Sequence, residues 1–138
     1  MSNQKKYTLT IYVAGAGTPL LRDGKPWMEN GKQLTSDPGH VFYGISEDGG
    51  RTIKAYGFAP PHGSAKFDWY SPDKPGKVQE DEHKVYSQQV YRKTIAITQA
   101  QYDKLKDFGE TPKKYGFNED IYNWNSRSCI DFVYAALN

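Results

Sequence analysis

The sequence predicts an α+β domain in which an antiparallel sheet of about five strands packs against two C-terminal helices. Three observations point there. Residues 7–13 alternate apolar and polar side chains in the period of a half-buried strand. Residues 40–46 and 51–58 are strand-like runs joined by Glu47-Asp48-Gly49-Gly50, a good hairpin turn. Two helix starts, Thr98 and Ser128, each carry a side chain three residues on that completes a cap. A length of 138 residues suits one domain, residues 1–138, with a single modest core.

In the first strand Tyr7, Leu9, Ile11 and Val13 alternate with Thr8, Thr10 and Tyr12. Residues 15–39 are rich in Gly, Pro, Asp and Asn without a clear period, and they read as a long loop. A small additional helix is expected within residues 19–33, and nothing in the chain repeats. Gly15-Ala16-Gly17 lacks the third glycine of a dinucleotide site and is rejected as one. If the hairpin turn is tight, His40 lies across from about Tyr56 to Phe58. Residues 60–82 read as loop, and residues 85–97 as a further strand or pair of strands.

Thr98 with Gln101 forms a capping box for a helix over residues 99–108, carrying Tyr102, Leu105 and Phe108 at helical spacing and stopping at Gly109. Ser128 with Asp131 begins the last helix. There Cys129, Phe132, Val133, Ala136 and Leu137 make one apolar stripe.

Hydrophobic residues make up 37% of the chain and mean hydropathy is −0.81, so the core is small and the loops are polar. Aromatics at 14%, with 11 Tyr, offset this because each ring buries much area. A net charge of +2 from dispersed Lys and Arg does not imply a nucleic-acid partner. No apolar run approaches the roughly 20 residues that span a bilayer, and no Sec-type signal peptide is visible. The chain is therefore expected to be made in the cytoplasm, without a transmembrane segment.

The single cysteine excludes an internal disulfide framework. Three scattered histidines offer no short-range ligand spacing, so neither a metal nor a cofactor is expected. A thiol opening a helix is biased toward thiolate by the unpaired amides and the helix dipole. Cys129 is thus the candidate nucleophile and His40, held on a strand, the candidate general base. A third group must orient the imidazole. Tyr56, a backbone carbonyl and His62 are the options, with Tyr56 placed first. His83 reads as a solvated surface residue, and Glu80-Asp81-Glu82 and Glu119-Asp120 as solvated faces. Trp27, Trp69, Tyr70 and Trp124 serve equally as stacking platforms or as core rings.

The segments Gly39-His40-Val41-Phe42-Tyr43-Gly44-Ile45, Gly57-Phe58-Ala59-Pro60 and Ser128-Cys129-Ile130-Asp131-Phe132-Val133 carry a resemblance. Together they resemble the circularly permuted branch of the papain-like NlpC superfamily, which includes lecithin–retinol acyltransferase-like enzymes. In that branch the histidine strand precedes the cysteine helix, and the resemblance covers roughly residues 37–138. The departure is at the third catalytic position, where acyltransferase-like members carry a second histidine near the place of Gly57. The chain also resembles small bacterial toxin domains of this superfamily, delivered by type VI secretion or as tips of polymorphic toxins.

The resemblance implies a cysteine hydrolase that cleaves an amide through a thioester, acting on peptidoglycan peptides in the periplasm of a target cell. It also implies a cognate immunity protein. A lipid acyl-hydrolase or acyltransferase of the same fold, and a non-catalytic binding or immunity module, are the alternatives.

Overall fold

Residues 5–15, 17–35, 40–59, 73–80, 82–86, 90–123 and 128–138 are described by the structure, a computed structural model. The first half holds β1 (Thr8–Ala14), β2 (Leu21–Arg22), β3 (Lys25–Pro26), β4 (Met28–Glu29), β5 (Lys32–Gln33), β6 (His40–Ser46) and β7 (Lys54–Ala59). The second holds β8 (Asp73–Pro75), β9 (Lys77–Glu80), α1 (Glu82–Val85), β10 (Val90–Ala96) and α2 (Gln99–Glu110). A 3₁₀ turn (Pro112–Tyr115), β11 (Ile121–Asn123) and α3 (Cys129–Leu137) complete the chain. Among the described residues no helix is long and apolar enough to cross a membrane.

Five strands form one antiparallel sheet in the order β10-β1-β6-β7-β9, as the composition of strands and turns predicts. Both faces of β6 are covered, which explains why it reads as a nearly continuous apolar run. Side chains alternate along a strand. Val41, Tyr43 and Ile45 therefore join Leu9, Tyr56 and Phe58 on a first face, under Tyr102, Leu105 and Phe108 of α2 and Phe132, Val133 and Ala136 of α3. Phe42 joins Tyr12, Ala14 and Ala55 on the second face, under Leu20, Trp27, Leu34, Val85 and Tyr86.

The lid on the second face is where expectation and structure part. No helix lies within residues 19–33. Two tight hairpins, β2–β3 and β4–β5, occupy it instead. Their turns, Asp23-Gly24 (φ 53° and 75°) and Asn30-Gly31 (φ 53° and 77°), are left-handed at both central positions, as a type I′ turn requires. The segment also repeats, contrary to expectation, with a period of seven residues. Leu20, Trp27 and Leu34 close a ring of backbone bonds: Leu20 N–H donates to Leu34 O, Leu34 N–H to Trp27 O, and Trp27 N–H to Leu20 O, at 2.9, 2.8 and 3.0 Å. Each repeat thus delivers one apolar side chain to the sheet.

The loop expected over residues 60–82 contains β8 and β9 among its described residues, and β9 extends the sheet by pairing with β7. Helix α1 (Glu82–Val85) joins the end of the expected loop, Glu82, to the first residue of the expected strand, Val85. Helix α2 starts at its capping box, with Gln101 N–H donating to Thr98 Oγ1 and Thr98 N–H to Gln101 Oε1. It does not stop at Gly109. It runs through it, because Gly109 lies against the Tyr56 ring, where a Cβ would sit 2.5 Å from Tyr56 Cγ.

Candidate active site

Helix α3 begins as its residues predict. Asp131 N–H reaches Ser128 Oγ at 3.5 Å, and both Ser128 N–H and Ser128 Oγ donate to Asp131 Oδ2 at 2.8 Å. This reciprocal cap fixes the first residue of the helix, Cys129, which is 6% exposed. The cap has an electrostatic consequence. The Asp131 carboxylate already occupies part of the positive end of the helix, so it competes with any anion that Cys129 would carry there.

One turn on, Phe132 is wholly buried and stacks at 6.0 Å on both Tyr43 and Phe58. At the far end of α3, Ala136 and Leu137 share a groove with Leu9, Ile95 and Ile97, where β1 begins and β6 ends. Helix α3 therefore runs along β6, and its first residue lies toward the end where β6 starts. His40 is that start, paired with Ala14. The structure brings Cys129 and His40 to the same end of the sheet.

It places them differently with respect to the sheet's faces. His40 is 5% exposed, and its imidazole lies 5.4 Å from the Phe42 ring and 4.9 Å from the Tyr86 ring, both in the cluster of the second face. Helix α3 covers the first face. A sulfur–imidazole meeting would therefore have to be made over the rim of the sheet, past the Ala14–His40 pair. Phe42 and Tyr86, which hold the ring, were not among the expected site residues. The period-two spacing of His40 and Phe42 is the signal that finds Phe42, whereas Tyr86 follows α1 and carries none.

Tyr56 is not the partner of His40, which corrects the expected third position. The ladder pairs Tyr43 with Tyr56, Gly44 with Ala55 and Ile45 with Lys54, so continuing it sets His40 against Ala59. Tyr56 shares the face of Tyr43, three residues from His40 and therefore on the other side of the sheet. Its ring lies 5.7 Å from that of Tyr43, and burial, then the Glu110 carboxylate, push its phenol well above the usual tyrosine range. Tyr56 belongs to the contact with α2.

His62 lies outside the described residues, as do Trp69, Tyr70 and Trp124. His83, expected on the surface, is half-buried in α1 with its Nδ1 shielded from solvent. Trp27 packs on the second-face cluster with the Arg22 guanidinium 5.4 Å over its ring, which makes it a core ring. Asp120 is an exposed partner of Lys113 at 2.7 Å. Among the described residues, no group of three His, Cys, Asp or Glu side chains converges as a metal site would need.

No protein-family model, curated protein or solved structure matches the chain.

Proposed function

We propose that this domain is a cysteine hydrolase of permuted papain-like arrangement, with Cys129 as nucleophile and His40 as general base. The observation that supports it is positional: Cys129 opens a capped helix at the end of the sheet where His40 opens its strand. In the proposed cycle the Cys129 sulfur forms a bond to an amide carbonyl carbon, and the amine leaves with a proton from the imidazolium. Water then attacks the thioester and gives its proton to the imidazole, releasing the acid and restoring the thiol. The amide belongs to peptidoglycan peptides, and the protein acts in the periplasm of a target cell after delivery from the cytoplasm, countered by a cognate immunity protein. A lipid ester is the competing substrate within the same chemistry.

A second reading, a non-catalytic binding module, is favoured by the His40 ring contacts on the face that α3 does not cover.

The deciding experiment incubates the protein and its Cys129→Ala variant with purified sacculi and, separately, with phospholipid vesicles, and reads products by mass spectrometry. The expected result is a new amine and acid terminus from sacculi, reduced in the variant by roughly three orders of magnitude or more. Undiminished turnover by a folded Cys129→Ala variant, or no product from either substrate, overturns the hydrolase reading.

A further inference from the structure

We propose that the protein forms a two-fold symmetric dimer in which the outer stripe of α3 in each copy lies in the apolar trough over β1 and β10 of the other. Eight large apolar side chains are exposed among the described residues, and six of them, Val13, Tyr91, Ile95, Ile130, Tyr134 and Leu137, gather around the first face. The helices explain why. Both α2 and α3 pack mainly on β6 and β7. Phe132 of α3 stacks on Phe58 of β7, whereas Ala136 and Leu137 reach Leu9 of β1 and Ile95 of β10. Helix α3 therefore slants across the sheet as it runs along β6, and the corner of the first face beyond it is lined by strand residues alone.

In that corner Leu9 and Ile11 floor a trough of about 420 Å³ whose outer rim is Tyr91, Lys93 and Ile95. Leu137 walls it at the Leu9–Ile95 end. Successive residues turn about 100° round a helix, so Ile130, Tyr134 and Leu137 fall within about 60° of one another. They form a second stripe, turned to the trough side and distinct from the buried Cys129, Phe132, Val133 and Ala136. Tyr91 is 69% exposed and Tyr134 70%. At these exposures the six residues leave roughly 600 Å² open to water, the upper end for the largest apolar patch of a monomer. Covered on two copies, that is roughly 1,200 Å², the size at which specific interfaces begin.

Shape and charge both select a second copy. Helix α3 is nine residues long, about 13 Å, and Tyr91 to Ile95 spans about the same length of strand. A ridge lying beside a trough of its own length is self-complementary about a two-fold axis. The one charged side chain lining the trough is Lys93, and the one on α3 is Asp131, exposed and about 60° round from Tyr134. The helix cap is made through Asp131 Oδ2, so Lys93 is met by Oδ1. Seating each stripe in the other copy's trough brings the two signs together twice, once on either side of the axis. An anionic bilayer, the other cover for such a face, would set like charge against Asp131. Cys129 begins the same helix on its buried side, so the dimer is independent of what the sulfur does.

The test follows the mass of the full chain by sedimentation velocity as its concentration rises. A species of twice the 15.7 kDa chain should grow in with a Kd of about 50 μM or tighter. Tyr91→Glu and Tyr134→Glu, both at exposed positions, should each weaken association at least about tenfold while leaving the far-ultraviolet circular dichroism unchanged. Asp131→Asn keeps an acceptor for the cap and loses the charge. It and Lys93→Gln should each weaken the dimer by about threefold, and the double variant no further than either. On the wild type, a carbodiimide should join Lys93 to Asp131 between ¹⁵N-labelled and unlabelled chains, read by mass spectrometry, which keeps the test decisive if a variant fails to fold. A chain that stays monomeric well above that concentration, a dimer that survives both glutamates, additive effects at Lys93 and Asp131, no Lys93–Asp131 link between copies, or a monomer that binds phospholipid vesicles through Tyr91 and Tyr134 would each overturn the proposal.

Discussion

The His40 imidazole lies 4.9 Å from the ring of Tyr86, across the second face of the sheet from the strand that carries it. Tyr86 is itself buried, and its ring also meets Phe42 at 5.6 Å. The three rings form one wall, so the direction of the imidazole depends on a residue that follows α1, far from His40 in sequence. Tyr86→Ala is expected to destabilise the fold by about 3 kcal/mol or more, from lost burial and the cavity left behind. Tyr86→Phe keeps the ring and should cost less. Urea unfolding of the two variants checks this; equal stabilities would show that the ring does not support the wall.

Gly109→Ala opposes two effects of different size. Alanine in a helix interior is favoured over glycine by about 1 kcal/mol. Here the new Cβ would meet Tyr56 Cγ at 2.5 Å, Cδ2 at 2.6 Å and Cδ1 at 2.7 Å, and the ring is buried between α2 and the sheet. Overpacking costs about 1–3 kcal/mol, and three contacts this short put it in the upper part of that range, about 2–3 kcal/mol, so the clash wins and the variant is less stable by about 1–2 kcal/mol. In a Tyr56→Ala background the sign should reverse, since the ring is gone. A double-mutant cycle by urea denaturation measures it; additive effects would refute the contact.

Much of this architecture is local, and what is local was legible. The caps at Thr98 and Ser128 are written within four residues each, and both form. The Asp23-Gly24 and Asn30-Gly31 turns were equally local, yet each is flanked by strands of two residues, too short to show alternation. Strand β9 was hidden for another reason. Only Val78 of Lys77-Val78-Gln79-Glu80 packs on the first-face core, and the strand exists because Phe58 and its neighbours supply a partner. The site suffered most from register. A tight turn would set His40 against Gly57, but the ladder begins beyond residue 53 and moves the partner by two, to Ala59. The third position was therefore unreadable from the hairpin sequence.

Asp48 gives that hairpin an acid limit. Its carboxylate accepts first from the Thr52 N–H at 2.9 Å and then from Ser46 Oγ at 2.7 Å, which lowers its pKa to about 2. An unfolded aspartate titrates near about 3.9. Between these values the unfolded chain binds a proton that the folded chain does not, so falling pH favours unfolding. The contribution is fully present above about pH 4 and is lost toward pH 2. Thermal melts of the wild type should fall over that window more steeply than those of Asp48→Asn. Parallel curves would show that the turn does not depend on the charge.

Cys129 offers the sharpest test of the proposed chemistry, because its position argues in both directions. The sulfur of a residue only 6% exposed, two positions from Asp131, is poorly placed to react unless a cation stands beside it. If the His40 imidazolium reaches it over the rim of the sheet, iodoacetamide should alkylate the native protein at pH 6. His40→Ala should then slow the reaction by about tenfold or more, while Asp131→Asn, which removes the competing charge, should quicken it. Rates read by intact-mass spectrometry under native conditions distinguish the outcomes. A thiol that labels only when urea unfolds the chain, or that labels equally fast without His40, is a core residue, and the nucleophile must be sought elsewhere.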